Sequence, residues 1–157
     1  MNDELPSPDV LNSIPGGPEL LAWFGYVPSF HDAEIIDLYL NRTGASTLRI
    51  HTWEMDPDHR TEDWLPFAKH VVVTFVLEEI VGLDLEDFSP QNVISGLELK
   101  RVKEETQSFG MTWIQPPVPP EFYEIVLHPC YGLWGTLRAR RISISLVSGK
   151  PTDRELG

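Results

Sequence analysis

The feature that most constrains the fold of this chain is the run KHVVVTFVLEEI at residues 69–80. Its residues are mainly β-branched or otherwise apolar, and apolar side chains occupy both alternating sets of positions. This pattern predicts a central strand that is covered on both faces. The longest predominantly apolar stretch, VVVTFVL at residues 71–77, is strand-sized, far below the roughly 20 residues of a membrane-spanning helix.

Alternation with a period of two extends this prediction to most of the chain. In EIIDLYLNR, at residues 34–42, Ile36, Leu38 and Leu40 share one face, and a turn around Gly44 predicts a hairpin with the next strand. Six or seven strands joined mostly by short turns predict an α+β fold, a single domain dominated by an antiparallel sheet. The expected strands are 34–42, 46–55, 69–80, a short return strand at 83–88 after a break at Gly82, 96–102, 121–128 and 135–149.

Only one short helix is predicted. In PELLAWFGY, Pro18 suits a first helical turn and Gly25 a stop, so we expect a helix over 18–24. Residues 1–17 are rich in proline and glycine and are expected to form an extended, flexible arm. The domain proper is expected to cover 18–149 and a frayed tail 150–157.

The last predicted strand contains a change of phase. Leu137 and Ala139 are odd-numbered, whereas Ile142 and Ile144 are even-numbered. One extra residue near Arg140 and Arg141 would reconcile the two halves, which is typical of a β-bulge or bend.

Charge is distributed unevenly along the chain. The net charge is −12, and residues 1–99 hold 18 acidic and 4 basic residues, a balance of −14. Such a segment repels phosphate, so nucleic acid is not expected as a partner. An acidic face can instead attract a basic protein. The candidate contacts are the acidic stretches and a tryptophan among them: Glu54, Asp56, Asp58, Glu62, Asp63, Trp64, Glu78, Glu79, Asp84, Glu86 and Asp87.

The segment His31-Asp32-Ala33-Glu34 is the motif that most resembles a catalytic or metal site. His31, Asp32 and Glu34, together with His51 on the paired strand, could form a small metal or ligand site or the active site of a hydrolase; Glu54 is also near in sequence. Strand geometry, however, places Asp32 and Glu34 on one face and His31 on the other. The alternative is a polar corner at which Asp32 caps backbone amides and His31 packs against an aromatic side chain.

No catalytic or cofactor motif stands out elsewhere in the sequence. Neither a G-x-S-x-G motif nor a glycine-rich phosphate loop occurs, so no cofactor is expected and the chain is predicted not to be an enzyme. A single cysteine, Cys130, and an N-terminus without secretion-signal features favour a cytoplasmic location and argue against a membrane partner.

Several segments resemble the immunity protein 50 family of bacterial polymorphic toxin systems. The strongest similarity is PSFHDAE at residues 28–34 entering an apolar strand, followed by F-x-x-Q-N at 88–92 and the Tyr131-Gly132 segment. The resemblance covers roughly residues 20–147. The motif positions are Phe30, His31, Asp32, Glu34, Trp53, Gln91 and Asn92.

The resemblance implies a small cytoplasmic protein that binds and neutralises a cognate toxin without catalysis. It implies neither the chemistry of the toxin nor the residues that contact it. The acidic composition is compatible with a basic toxin, because an acidic face would accelerate association with one.

Overall fold

A computed structural model describes residues 5–53, 69–103 and 121–151 of the protein. Two short helices precede six strands in these residues, which confirms the predicted single antiparallel α+β domain. The candidate contacts between Glu54 and Trp64 and residues 152–157 of the predicted tail lie outside the described residues. The elements are α1 (Pro8–Ser13), α2 (Gly17–Phe24), β1 (Glu34–Tyr39), β2 (Ser46–Trp53), β3 (His70–Glu86), β4 (Val93–Lys103), β5 (Glu121–Tyr131) and β6 (Trp134–Ser148).

The strands form a closed barrel in the order β1-β2-β3-β6-β5-β4, and all neighbours are antiparallel. The predicted hairpin of β1 and β2 is present. Closure depends on the contact between β1 and β4, whose ladder holds the one Cα pair Glu34 and Val93. The barrel is therefore joined least extensively at this place, which we call the seam.

The interior of the barrel is filled by alternate side chains of the strands. Phe75 and Leu97 are fully buried, as are Leu48 and Ile50 of β2. The helices add Leu11, Leu20 and Phe24 to the same cluster. Burial of this continuous apolar set is the main force that stabilises the fold.

The N-terminal segment differs from the predicted arm, because part of it is helix α1. Ser7 caps the helix by accepting a hydrogen bond from the Val10 N–H at 3.4 Å, and Pro8 occupies the first helical position. Leu11 is fully buried. Proline is common in extended chain, but at a helix start it lacks only an N–H that the helix would leave unpaired.

Helix α2 agrees with the prediction, beginning one residue earlier. Gly25 ends it with a φ of 81°, and the Gly25 N–H donates to the Leu21 carbonyl at 2.7 Å. A left-handed residue that bonds back into the last turn is the usual way for a glycine to end a helix. The chain then reaches β1 through residues 26–33.

Strand β3 corrects the predicted break at Gly82. The strand continues to Glu86, and its pairing with β6 shifts register between Ile80 and Gly82. Gly82 therefore follows a bulge, and no separate return strand exists at 83–88. Because β6 offers a continuous partner over the whole length, one added residue can be accommodated without ending the strand.

The predicted change of phase in β6 is present at Arg140 and Arg141, but without the irregular pairing of a β-bulge. Ala139 and Ile142 are both buried, so Arg140 and Arg141 lie between two inward positions. The opposing β3 residues Glu78 and Glu79 are also both exposed, and the pairing stays in register there. Both strands change phase together, and the irregular pairing is in β3.

Within the ranges that the structure describes, no helix is long and apolar enough to cross a membrane.

Candidate functional site

The segment His31-Asp32-Ala33-Glu34 forms a tight corner that leads into β1. Phe30 and Asp32 have positive φ values of 60° and 62°, and the Ala33 N–H donates to the Phe30 carbonyl at 3.0 Å. Phe30 is nearly fully buried, with its ring centroid 6.0 Å from that of Phe75. A buried aromatic anchor thus fixes a backbone shape that is uncommon for a bulky residue.

The polar side chains of this corner differ from both sequence interpretations in detail. The His31 ring lies with Nδ1 3.0 Å from the Ser95 carbonyl oxygen and does not pack on an aromatic ring. The Asp32 carboxylate lies 3.6 Å from His31 Nε2 rather than capping an amide. The motif is nevertheless a structural corner.

The alternative metal site at this corner is contradicted by the geometry. Glu34 and His51 are Cα partners across β1 and β2, but His31 is turned toward β4. In the described segments, no group of three or more His, Cys, Asp or Glu side chains could hold a metal ion. His31, Asp32, Glu34 and His51 therefore do not form a common ligand set.

Asn92 is the centre of a buried hydrogen-bond network beside this corner. Its Oδ1 accepts from the Ser89 N–H at 2.9 Å and from the Leu133 N–H at 2.8 Å, and its Nδ2 donates to the Ser89 carbonyl at 2.7 Å. The side chain is 5% exposed. One amide group therefore links the β3–β4 turn to the start of β6.

The three segments that resemble the immunity family meet at this network. The Ile35 N–H donates to the Asn92 carbonyl at 2.8 Å, and the Ile94 N–H donates to the Ala33 carbonyl at 3.0 Å. Gly132 packs so closely that an added Cβ would lie 2.5 Å from Asn92 Oδ1. Residues far apart in sequence thus converge on the seam of the barrel.

A cleft of about 420 Å³ opens next to this seam, and we call it the seam cleft. It is lined by residues 35–38 of β1, by residues 85–88 at the end of β3, and by Asn92 and Leu133. Most of these side chains are apolar, and the volume lies within the range of roughly 300–1,000 Å³ that is usual for ligand pockets.

The lining of the seam cleft shows that it runs along a strand edge. Successive side chains of a strand point to opposite faces, so a cleft lined by the consecutive residues 35–38 must follow the edge of β1. The ladder between β1 and β4 ends at Glu34, whereas β1 continues to Tyr39. In the described part of the chain, residues 36–39 therefore have a neighbouring strand on the β2 side alone.

Acidic residues form part of the rim of the cleft. The Asp37 carboxylate is paired with Arg49, whose Nε lies 3.0 Å from Oδ1. Asp87 accepts a hydrogen bond from Trp134 Nε1 at 3.1 Å. Glu86 and the neighbouring Asp84 are exposed and have no ion pair or hydrogen bond to another described side chain. Negative charge at this rim is thus only partly compensated.

The remaining acidic candidates fall into two groups. Glu78 and Glu79 each lie 3.4 Å from the Arg141 guanidinium, and the Glu78 hydrogen bond followed by the charge of Glu79 raises the pKa of Arg141. Those two acids therefore share a cation. The others lie outside the described residues: Glu54, Asp56, Asp58, Glu62, Asp63 and Trp64.

Apolar side chains are exposed close to the same rim. Phe88 is 67% exposed and lines the cleft, and Leu83 near the end of β3 is 41% exposed. Exposed apolar residues ringed by polar groups are typical of protein-binding surfaces. Gln91, a second motif position, is exposed in the turn between Ser89 and Asn92.

A histidine pair on β2 and β3 was not anticipated from the sequence. His51 Nε2 lies 2.9 Å from His70 Nδ1, the rings are stacked, and Trp53 borders both. Burial, followed by the charges of His70 and Lys150, lowers the pKa of His51 to about 4. The pairing of β2 with β3 brings the two rings together, because His70 is the Cα partner of Trp53, two residues from His51. The sequence shows a histidine in each strand but does not specify this register.

Comparisons with known proteins neither support nor contradict the resemblance to the immunity protein family. No protein-family model matches the chain, no curated protein matches it, and no solved structure matches it. The family therefore remains an expectation carried by the motif segments.

Proposed function

We propose that this protein is a non-catalytic immunity protein that binds and neutralises a basic bacterial toxin through the seam cleft and its acidic rim. The observation that carries the proposal is the combination of an apolar cleft with the carboxylates Asp84 and Glu86, which have no ion pair among the described residues. Phe88 supplies an exposed aromatic anchor of the kind that dominates binding energy at interfaces.

Electrostatics favour a basic protein as the partner. The net charge of −12 would attract a cationic surface from a distance and raise the rate of association. The same charge opposes contact with nucleic acid. The convergence of the resemblance segments on the rim supports the toxin as the particular kind of partner.

The test is a binding and growth experiment with the product of the adjacent reading frame. We expect the purified proteins to form a stoichiometric complex, and co-expression to restore growth that the product alone arrests. Absence of both binding and rescue would refute the proposed function.

Charge variants then locate the surface. The double variant Asp84→Asn/Glu86→Gln should reduce the association rate about 3- to 10-fold at low salt, because it removes two rim charges that have no ion pair among the described residues. Asp9→Asn/Glu19→Gln removes two exposed acids from the helices; it is the matched control and should stay within about twofold. Equal rates for both variants would remove the rim from the interface.

The acidic segment outside the described residues gives a second set of variants. Neutralising Asp56, Asp58, Glu62 and Asp63 together should slow association and flatten its dependence on salt. An unchanged association rate would exclude that segment as a contact.

A further inference from the structure

Strand β1 carries a backbone edge that the barrel does not use. Its pairing with β4 stops at Glu34, and the Ile35 N–H reaches Asn92 rather than another strand. Between there and Tyr39 the described residues provide a strand on one side alone. An edge of this kind presents N–H and C=O groups that can pair with an incoming strand.

The seam cleft lies directly along this edge. Its lining combines residues 35–38 of this strand with residues 85–88. Asn92 and Leu133 also line it, and the Leu133 N–H donates a hydrogen bond to Asn92 Oδ1. The pre-formed space is therefore next to the unpaired backbone and is largely apolar.

We propose that the seam cleft binds an extended segment of the partner, which adds to the free edge of β1 as an additional antiparallel or parallel strand. Backbone hydrogen bonds to residues 36–39 supply register, and alternate apolar side chains of the segment enter the cleft. This inference rests on the proposed function, because it states how the same site takes hold of the toxin.

Charge selects the chemistry of that segment. Glu86 borders the cleft without a basic partner among the described side chains, and Asp84 lies two residues before it. Outward side chains of an added strand would reach this rim, so lysine or arginine is favoured at those positions. A second copy of this chain is disfavoured, since each copy carries a net charge of −12.

The probe is a synthetic peptide of about ten residues that alternates valine and lysine, because strands of that length are common. Its addition to the labelled, full-length protein is followed by amide chemical shifts and by amide hydrogen exchange. We expect chemical shift changes along residues 36–39, and slowed exchange at those of their amides that point away from β2. A peptide that alternates valine and glutamate is the control and should leave these amides unchanged.

Two variants separate cleft binding from general attraction. Glu86→Lys should weaken binding of the lysine peptide at least about fivefold, whereas Glu19→Lys makes the same charge change away from the cleft and should stay within about twofold. Phe88→Ser should also weaken binding, and Val147→Ser, an equally exposed apolar residue on β6, should not. All four positions are exposed, so each variant is expected to fold.

The inference is overturned if the lysine peptide leaves residues 36–39 unprotected, or if both peptides bind alike. It is also overturned if a neutralised toxin leaves those amides exchanging as in the free protein, while the proposed function would stand. If the peptide adds to β1 but the product of the adjacent reading frame does not bind, the strand-binding edge is supported and the proposed toxin function is refuted.

Discussion

At the scale of single residues, glycine positions at the seam are more constrained than their backbone angles indicate. Gly132 and Gly25 have almost the same φ, 82° and 81°. A Cβ at Gly25 would meet no atom within 4 Å, whereas one at Gly132 would lie 2.5 Å from both Asn92 Oδ1 and the Gln91 carbonyl oxygen. The two sites therefore separate backbone strain from steric overlap.

We expect Gly25→Ala to lower the free energy of unfolding by about 1–2 kcal/mol, the cost of a left-handed conformation. Gly132→Ala should lower it by at least about 1 kcal/mol more, because the Asn92 network must also move. Urea unfolding of both variants measures the difference. Equal losses would show that the network yields to the added methyl group.

The half-buried His51 predicts a dependence of stability on pH. The pKa of His51 is lowered by burial to about 4, while the unfolded chain has the ordinary value of about 6.5. Between these values the unfolded chain binds more protons, so this contribution is complete above about pH 6.5 and is lost as the pH falls toward 4.

We therefore expect the free energy of unfolding to fall by about 1–2 kcal/mol between about pH 7 and pH 5, with allowance for partial solvent screening. His51→Gln should show a smaller fall over the same interval. Urea titrations at the two pH values measure this difference, and an equal fall in both proteins would assign the effect to other groups.

At the scale of elements, the N-terminal segment and β3 adopt structures that their sequence patterns alone do not predict, because each is stabilised by contact with another element. Helix α1 has only six residues and begins with proline, so its stability depends on the burial of its apolar side chains against the barrel. In β3, Gly82 is retained inside a strand because β6 pairs on both sides of it. Both outcomes depend on contacts between segments far apart in sequence.

Two variants of α1 test whether this helix is part of the core. Leu11 is fully buried, so Leu11→Ala should lower the free energy of unfolding by about 2–5 kcal/mol. Asn12→Ala changes the next, exposed residue and should stay within about 0.5 kcal/mol. Chemical unfolding of both proteins gives the comparison; a loss below about 1 kcal/mol for Leu11→Ala would support a loosely attached arm.

At the scale of the whole molecule, negative charge opposes the compact state while it serves association. A net charge of −12 on a single small domain gives repulsion that extends over a Debye length, roughly 30 Å at 0.01 M salt and 8 Å at 0.15 M. Screening should therefore stabilise the isolated protein and weaken its attraction to a basic partner.

We expect the free energy of unfolding to rise by about 1 kcal/mol when sodium chloride is increased from about 0.01 M to about 0.15 M. Potassium chloride at the same concentration should act equally, because screening does not depend on the identity of a monovalent ion. Thermal or urea unfolding in the two salts measures the effect. A fall in stability would mean that attractive pairs such as Glu124 with Arg138 and Lys100 outweigh repulsion.

The sequence by itself determined the local elements of this protein. Period-two alternation gave the strands, Pro18 and Gly25 bounded α2, and the odd-to-even change in β6 located a real change of phase. These features depend on near neighbours along the chain, so they can be inferred from a single sequence.

Only the tertiary structure decided closure of the barrel and the position of the site. The pairing of β1 with β4 and the network of Asn92 each join segments separated by tens of residues. The cleft beside the free edge of β1 is likewise lined by segments far apart in sequence. The cause is that side-chain periodicity specifies which face of a strand is buried but not which strands become neighbours. Which strand edges pair depends on packing of the whole core, and the seam cleft forms where that packing leaves part of the β1 edge without a neighbouring strand.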